Sequence, residues 1–288
     1  TILILLFISL PLKSIIHNIK IMNKNKYFEF NINDRNTTHS LVELTKNIRS
    51  NGYSFYVPFN VNYHRIVGEE RIGDGHPVMV GYVISGKKIG LTSKPMQELF
   101  GIDEPDYGHL YKSTEVPNGG SIKIETLNKP KVEGEIAFVL KEDLKGLGVT
   151  VEDVYRATDY ISASIEIVDT RYRDWKIKLV DTISDNGSSV LYLMGEKRFG
   201  VDEISIPEIE MTLYKNGEKI NNGTGADVLG NPAEAVAWLA NKLQEFGVQL
   251  NKGDVILSGA ITAAPEATRG DVFECVFSDL GSVKVTFE

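Results

Sequence analysis

The most persistent pattern in the chain is a two-residue alternation of apolar and polar positions through its C-terminal part. In KVEGEIAFVL, residues 131–140, Val132, Gly134, Ile136 and Phe138 fall on one side and Glu133, Glu135 and Ala137 on the other. Period two is the geometry of a strand, so the run predicts a strand carrying both glutamates on one face. Similar runs predict strands over 121–125, 161–168, 188–195, 208–215, 255–258, 273–277 and 283–287, with a further strand in KKIGLTS and a loop or short strand over 108–116. Residues 216–218, NGE, form a hairpin turn with a return strand starting at 219–220, followed by a loop over 225–229. Helical periodicity is rarer. Its best case is 232–246, with Pro232 in the first turn, Gly247 beyond the end, and a stripe of Ala235, Val236, Leu239, Leu243 and Phe246. Thr150 opens a second helix, running to about 159, with Asp153 completing a capping box. Ser93 caps one or two helical turns over 95–99. Strands outnumber helices, which predicts a mixed α/β fold dominated by sheet.

The first 85 residues read differently. TILILLFISLPL, residues 1–12, is apolar but too short to span a bilayer. It has the texture of a signal-peptide core without a basic segment before it or a small-residue cleavage motif after it. The first methionine is Met22. Three origins fit residues 1–21: upstream sequence translated in error, a buried or partner-covered helix, or a targeting segment. Residues 39–49 predict a short amphipathic helix with Leu41, Leu44 and Ile48 on one face. Tyr53, Phe55 and Val57 then alternate, and Gly68, Gly73, Gly75 and Pro77 indicate loops. The expected organisation is an atypical N-terminal segment, 1–85, followed by an organised domain, 86–288.

Composition narrows the function. Of 288 residues, 42% are hydrophobic and 24% charged, enough for a folded core. A net charge of -8 without a long Lys/Arg block argues against nucleic-acid binding. The lone cysteine, Cys275, lies in an alternating run and reads as a buried strand thiol, compatible with a reducing, cytoplasmic setting. No G-x-S-x-G elbow, dinucleotide fingerprint or P-loop occurs. No stable membrane span is expected.

Two readings fit Glu133 and Glu135: a solvated strand face, or two close carboxylates neutralised by a proton or a metal ion. Glu166 lies in SASIEIVDT between Ile165 and Ile167. If that strand pairs beside the first, three carboxylates converge, a hard oxygen set suited to Mg²⁺ or Mn²⁺. Zn²⁺ would recruit His or Cys, and the five histidines are scattered. Asp169, Arg171, Asp174, Lys176 and Lys178 crowd after Glu166, either as structural ion pairs or with Lys176 or Lys178 reaching a substrate carboxylate. Ser184, Asn186 and Ser188 lie in the polar string TISDNGSS, suited to holding a small anion. Ser258 begins a small-residue strand end where a ligand can approach.

Several longer strings occur in order: GKKIGLTSKPMQ, PDYGHLY, VEGEIAFVL, SASIEIVDTRYRDWKIKLVDTISDNGSS, NPAEAVAWLANKL and LGSVKVTF. In these the chain resembles the fumarylacetoacetate hydrolase superfamily, in its 2-keto-4-pentenoate hydratase and 4-oxalocrotonate decarboxylase branch. The resemblance covers 86–288. It implies a curved, partly closed roll of mixed strands with flanking helices, and a divalent cation, Mg²⁺ or Mn²⁺, on Glu133, Glu135 and Glu166. It also implies catalytic roles for Lys88 and Asp106, a small 2-oxo acid substrate, a homo-oligomer, and an aldolase or decarboxylase of the same pathway as partner. Lys88 would stabilise enolate charge, or relay a proton if burial lowers its pKa, while Asp106 would act as acid or base. The expected reaction is hydration of 2-hydroxypenta-2,4-dienoate to 4-hydroxy-2-oxopentanoate. The alternative is loss of CO₂ from 2-oxohex-3-enedioate. GKKIG sits closer to the hydratase form and SGAITAA (258–264) to the decarboxylase form, with Arg269 as a cation for a second carboxylate. The N-terminal helical domain usual in the family is not evident in residues 39–85.

Overall fold

The computed structural model describes residues 18–23, 26–31, 83–93, 97, 104–172 and 175–288. The chain divides into two units, 1–61 and 62–288. In the first, β1 (Asn18–Asn23) pairs antiparallel with β2 (Lys26–Asn31). The sequence pattern does not predict this hairpin: the NKNK string holds no turn glycine, and β1 falls where the apolar start gives way to polar sequence. The helix expected over 39–49, the alternation at 53–57 and most of 95–99 lie outside the described residues.

Among its described residues the second unit holds two sheets. The larger has the order β4-β3-β11-β6-β7-β8, built from β3 (Ile84–Gly90), β4 (Asp106–Tyr111), β6 (Lys131–Leu140), β7 (Thr158–Val168), β8 (Ser189–Met194) and β11 (Val255–Leu257). Its edge strands β4 and β8 approach each other, and the Val116 N–H donates to the Tyr192 carbonyl at 2.8 Å. The sheet is thus curled into a partly closed roll. The smaller sheet has the order β10-β9-β12-β13-β5, from β5 (Ser121–Ile122), β9 (Glu210–Lys215), β10 (Glu218–Thr224), β12 (Val272–Phe277) and β13 (Gly281–Phe287). This is the mixed α/β architecture expected of the sequence.

The two faces of the roll explain its pattern. Val132, Ile136, Phe138, Ile161, Ile165 and Ile167 point outward and are fully buried, and the outward Gly134 lies against Cys275 and Met211 of the smaller sheet. The inward positions of β6 and β7 are Glu133, Glu135, Ser162, Ser164 and Glu166. A solvated face would tolerate such residues anywhere; here they line the interior of a roll. Further along that interior Leu110, Ala137, Tyr192 and Leu257, with Met194 and Val255, pack into an apolar plug. The Tyr192 hydroxyl ends the plug in hydrogen bonds with Ser85 Oγ at 2.9 Å and Glu115 Oε2 at 3.2 Å.

Among the described residues, three helices with defined bounds flank the sheets: α1 (Val151–Ala157), α2 (Leu179–Ser184) and α3 (Pro232–Gln244). Thr150 and Asp153 make the expected capping box, but the chain leaves the helix at Ala157 and enters β7 directly. Asn231 caps α3 by accepting from the Ala233 N–H at 3.0 Å, and its amide donates to the Tyr155 hydroxyl, tying α3 to α1. β5 is shorter than expected, ending in a 3₁₀ turn over Ile124–Thr126, and β10 is longer. No helix among the described residues is long and apolar enough to cross a membrane.

Backbone approach inside the roll sets a stability prediction. Gly86 of β3 faces Val255 of β11, where a Cβ would stand 1.8 Å from the Val255 carbonyl oxygen. Relief requires two paired strands to separate, unlike a clash with a flexible side chain. Gly86→Ala is expected to lose about 3 kcal/mol, at the upper range for overpacking. Urea unfolding checks this, and a loss below about 0.5 kcal/mol would show that the strands yield freely.

Candidate active site

β6 and β7 pair antiparallel with Glu133 opposite Glu166 and Glu135 opposite Ser164. Directly opposed residues share a face, and so do residues two apart on one strand. The register therefore brings Glu133, Glu135 and Glu166 together, with one carboxylate oxygen from each inside a 4.8 Å group. Glu135 and Glu166 are fully buried and Glu133 is half-buried.

Such a cluster is costly unless compensated. Burial, with neighbouring acids adding to it, raises all three carboxyl pKa values: Glu133 to about 7, Glu135 well above its ordinary value, and Glu166 upward, with Asp106 adding and Lys88 opposing. The Gly259 N–H donates to Glu135 Oε2 at 2.6 Å. Glu135 Oε1 and both Glu166 oxygens are buried without a hydrogen bond of ordinary geometry. Three hard oxygens with unspent lone pairs fit a divalent cation such as Mg²⁺ or Mn²⁺ and suit a thiophilic ion poorly.

Lys88 lies on β3 with its side chain in the same interior, only 2% exposed. Its Nζ donates to the Gly187 carbonyl at 2.9 Å and lies 3.5 Å from Glu166 Oε2 and 3.6 Å from Asp106 Oδ1. Burial opposes its charge, but Glu166, Asp106, Glu133 and Glu135 outweigh burial and raise its pKa. Four carboxylates around one ammonium thus keep Lys88 in its protonated form, a proton donor, in place of the lowered pKa expected from burial alone. Asp106 opens β4, buried, and its Oδ2 accepts from Thr182 Oγ1 of α2 at 2.5 Å.

The remaining candidates separate into two groups. Asn186, Ser188 and Ser258 are buried beside the cluster, with their side chains engaged by the protein: Asn186 with the His109 main chain, Ser188 with Asp185, and Ser258 with the Ile136 carbonyl. Lys176, Lys178 and Ser184 are exposed, outside the buried cluster. Arg269 pairs with Glu125 at 2.9 Å where both side chains are more than half exposed. Asp169 caps the chain at residues 128–129, accepting from the Asn128 and Lys129 N–H groups. Sequence reasoning missed Thr182, Asp185 and Gly187. The available signal was the Asp-Asn-Gly run, whose Asn and Gly tolerate left-handed backbone.

A roll of this topology, carrying three glutamates and a lysine in its interior, defines a class, and comparison with known proteins gives the same one. The fumarylacetoacetate (FAA) hydrolase C-terminal family matches residues 78–288, and the chain belongs to that family. Within it the chain falls in the 2-keto-4-pentenoate hydratase and 4-oxalocrotonate decarboxylase branch, and it is a lyase of that hydratase-or-decarboxylase kind. It is 43% identical over 209 residues to 2-hydroxyhexa-2,4-dienoate hydratase of Comamonas testosteroni, covering 72% of this chain and 79% of that one. It is 40% identical over 211 residues to 2-keto-4-pentenoate hydratase of Paraburkholderia xenovorans (strain LB400), covering 73% and 78%. Among solved structures it resembles 4-oxalocrotonate decarboxylase from Pseudomonas putida G7, complexed with magnesium and adipate, with a TM-score of 0.71, 37% identity, and coverage of 72% and 79%.

Proposed function

We propose that the protein is a divalent-metal-dependent hydratase that adds water to 2-hydroxypenta-2,4-dienoate and releases 4-hydroxy-2-oxopentanoate. The observation that carries this reading is the buried convergence of Lys88, Asp106 and the three glutamates in one interior. Glu133, Glu135 and Glu166 would hold Mg²⁺ or Mn²⁺. When bound, the cation supplies Lewis-acid polarisation of a chelating 2-oxo acid and stabilises the enolate.

The protein's own groups handle the protons. Ketonisation first moves the 2-hydroxyl proton to C5 and gives the 2-oxo-3-ene; Lys88 Nζ, which holds a proton in a site walled from water by β3 and the Gly187 turn, then delivers it to C3 as water adds at C4. Asp106, oriented through Oδ2 by Thr182, keeps Oδ1 without a hydrogen bond and accepts the proton from the attacking water. The 3.6 Å separation of Lys88 Nζ and Asp106 Oδ1 lets that proton return to the lysine. The net change is addition of one water.

Two features favour hydration over decarboxylation. The interior beyond the cluster is the apolar plug of Leu110, Ala137, Tyr192 and Leu257, and Arg269, the cation available for a second carboxylate, is spent in a surface pair. The likeness to a decarboxylase structure favours the second reading, CO₂ loss from 2-oxohex-3-enedioate. A paired assay with Mg²⁺ separates them, following dienol absorbance with one acid and CO₂ with the other. Loss of dienol absorbance with formation of the hydroxy-oxo acid is expected; prompt CO₂ release with no hydration would overturn the proposal.

A further inference from the structure

Between α2 and β8 the backbone makes a short left-handed turn. Asn186, Gly187 and Ser188 have φ values of 62°, 60° and 54°. Asn and Gly accept this conformation more readily than most residues, and Ser does not. The turn is therefore held by its surroundings. Asp185, 2% exposed, is its anchor: Oδ2 accepts from Ser188 Oγ at 3.0 Å, Thr170 Oγ1 at 3.1 Å and the Arg171 N–H at 3.2 Å, while Oδ1 pairs with Arg171 Nε at 3.0 Å. The Gly187 N–H returns to the Thr182 carbonyl at 2.7 Å.

The opposite side of the turn docks on β4. The Asn186 carboxamide imitates a neighbouring strand, accepting from the His109 N–H at 2.8 Å and donating to the His109 carbonyl at 2.9 Å. Both ends of that side chain are thereby spent on main chain, leaving it poorly placed to serve a substrate. Contact is close enough that a Cβ at Gly108 would stand 2.1 Å from the Asn186 carbonyl oxygen. What the turn presents to the interior is the Gly187 carbonyl, the nearest acceptor to Lys88 Nζ. That acceptor has no titration and, once docked, no freedom to move. Glu166 and Asp106, the other two neighbours, change their demands whenever a cation or proton arrives.

We propose that Asn186 is a positioning residue: by docking the left-handed turn on β4 it fixes the Gly187 carbonyl against Lys88 and so holds the ammonium in its reacting place. The same segment orients Asp106 through Thr182, so one short stretch, 182–188, sets both proton-handling groups. The inference rests on the roles given to Lys88 and Asp106 above, and goes beyond them in naming what aims them.

The test is Asn186→Gly, which permits the left-handed backbone and removes only the dock. The expected result is a kcat lowered roughly 10- to 100-fold, with KM and the Mn²⁺ dissociation constant within about threefold of the parent, since misplacement of a reacting group acts on the transition state. A crystal structure of the variant is expected to show Lys88 Nζ withdrawn from the Gly187 carbonyl. Gly187→Ala gives an independent check if the first variant folds poorly. It keeps the dock but brings a Cβ within 2.8 Å of Lys88 Cδ, and the same kcat-weighted loss is expected. An unchanged kcat, a loss shared equally by KM and Mn²⁺ affinity, or a Lys88 that stays in place would each overturn the proposal. If the parent turns over neither acid, the functional reading fails by itself, while the position of Lys88 in the variant crystal still decides this one.

Discussion

Lys88→Met is expected to lower turnover by about 10³-fold, the range for removing a positioned proton donor that also stabilises developing charge. Methionine keeps much of the length and apolar stem and deletes the ammonium alone. Two losses follow in the structure. The proton held 3.5 Å from Glu166 and 3.6 Å from Asp106 disappears, and the carboxylates lose their nearest positive charge. Removing one partner from a buried ion pair costs about 3–5 kcal/mol. Here the loss is partly absorbed by proton uptake, because burial and crowding have already raised the pKa values of Glu135 and Glu166. The variant should accordingly be less stable than the parent without added metal, and recover part of the deficit when Mg²⁺ is supplied. Lys88→Arg should not restore activity: the stem is closely packed, with Lys88 Cδ 2.8 Å from where a Cβ on Gly187 would stand. Single-turnover hydration kinetics and urea unfolding, each with and without Mg²⁺, make the measurement. Turnover within tenfold of the parent would remove Lys88 from the reaction.

How far this was visible in the sequence depends on whether each feature is local. β6 was legible to the residue because its outward face is fully apolar and its inward face carries glutamates, so the period is sharp. α3 was legible from its caps and stripe. By contrast β4 reads DYGHLY, with Asp106 and Gly108 inward and Tyr107 and His109 outward, which erases the apolar-polar contrast. α2 has six residues, too few for a helical period to register. The pairing of Glu133 with Glu166 joins residues far apart in the chain, and no local pattern encodes a register; it could be stated only as a condition. Lys88 and Asp106 stand out only through family resemblance, since a lysine in a short strand and an aspartate after a proline look ordinary. From sequence the αL turn at 186–188 reads as a polar anion-holding loop, because its hydroxyls and amide are visible there while their internal partners are not.

Divalent-cation binding is expected to be proton-coupled, and to be lost when Glu135 becomes Gln. Burial first, then the neighbouring acids, hold Glu133 at about 7 and Glu135 well above its usual range. Near neutral pH the cluster therefore retains protons that a cation must displace. Affinity should rise as pH increases from roughly 6 to 8, and calorimetry in buffers of different ionisation enthalpy should register proton release. Stability runs the other way in the metal-free protein. A carboxyl whose folded pKa lies above its unfolded value binds protons more tightly when folded, so its contribution is fully present below about 4.5 and is lost as pH rises through the folded value near 7. The metal-free protein should thus be less stable at pH 8 than at pH 6 by an amount that Glu133→Gln reduces, and Mn²⁺ should stabilise most at the higher pH. In Glu135→Gln the amide offers no negative charge, and its N–H₂ or carbonyl must face the buried position now held by Oε1. Loss of one ligand charge from a three-carboxylate set should weaken Mn²⁺ binding by at least about 100-fold. Tight, pH-independent Mn²⁺ binding with no proton release, or unchanged affinity in Glu135→Gln, would place the cation elsewhere in the molecule.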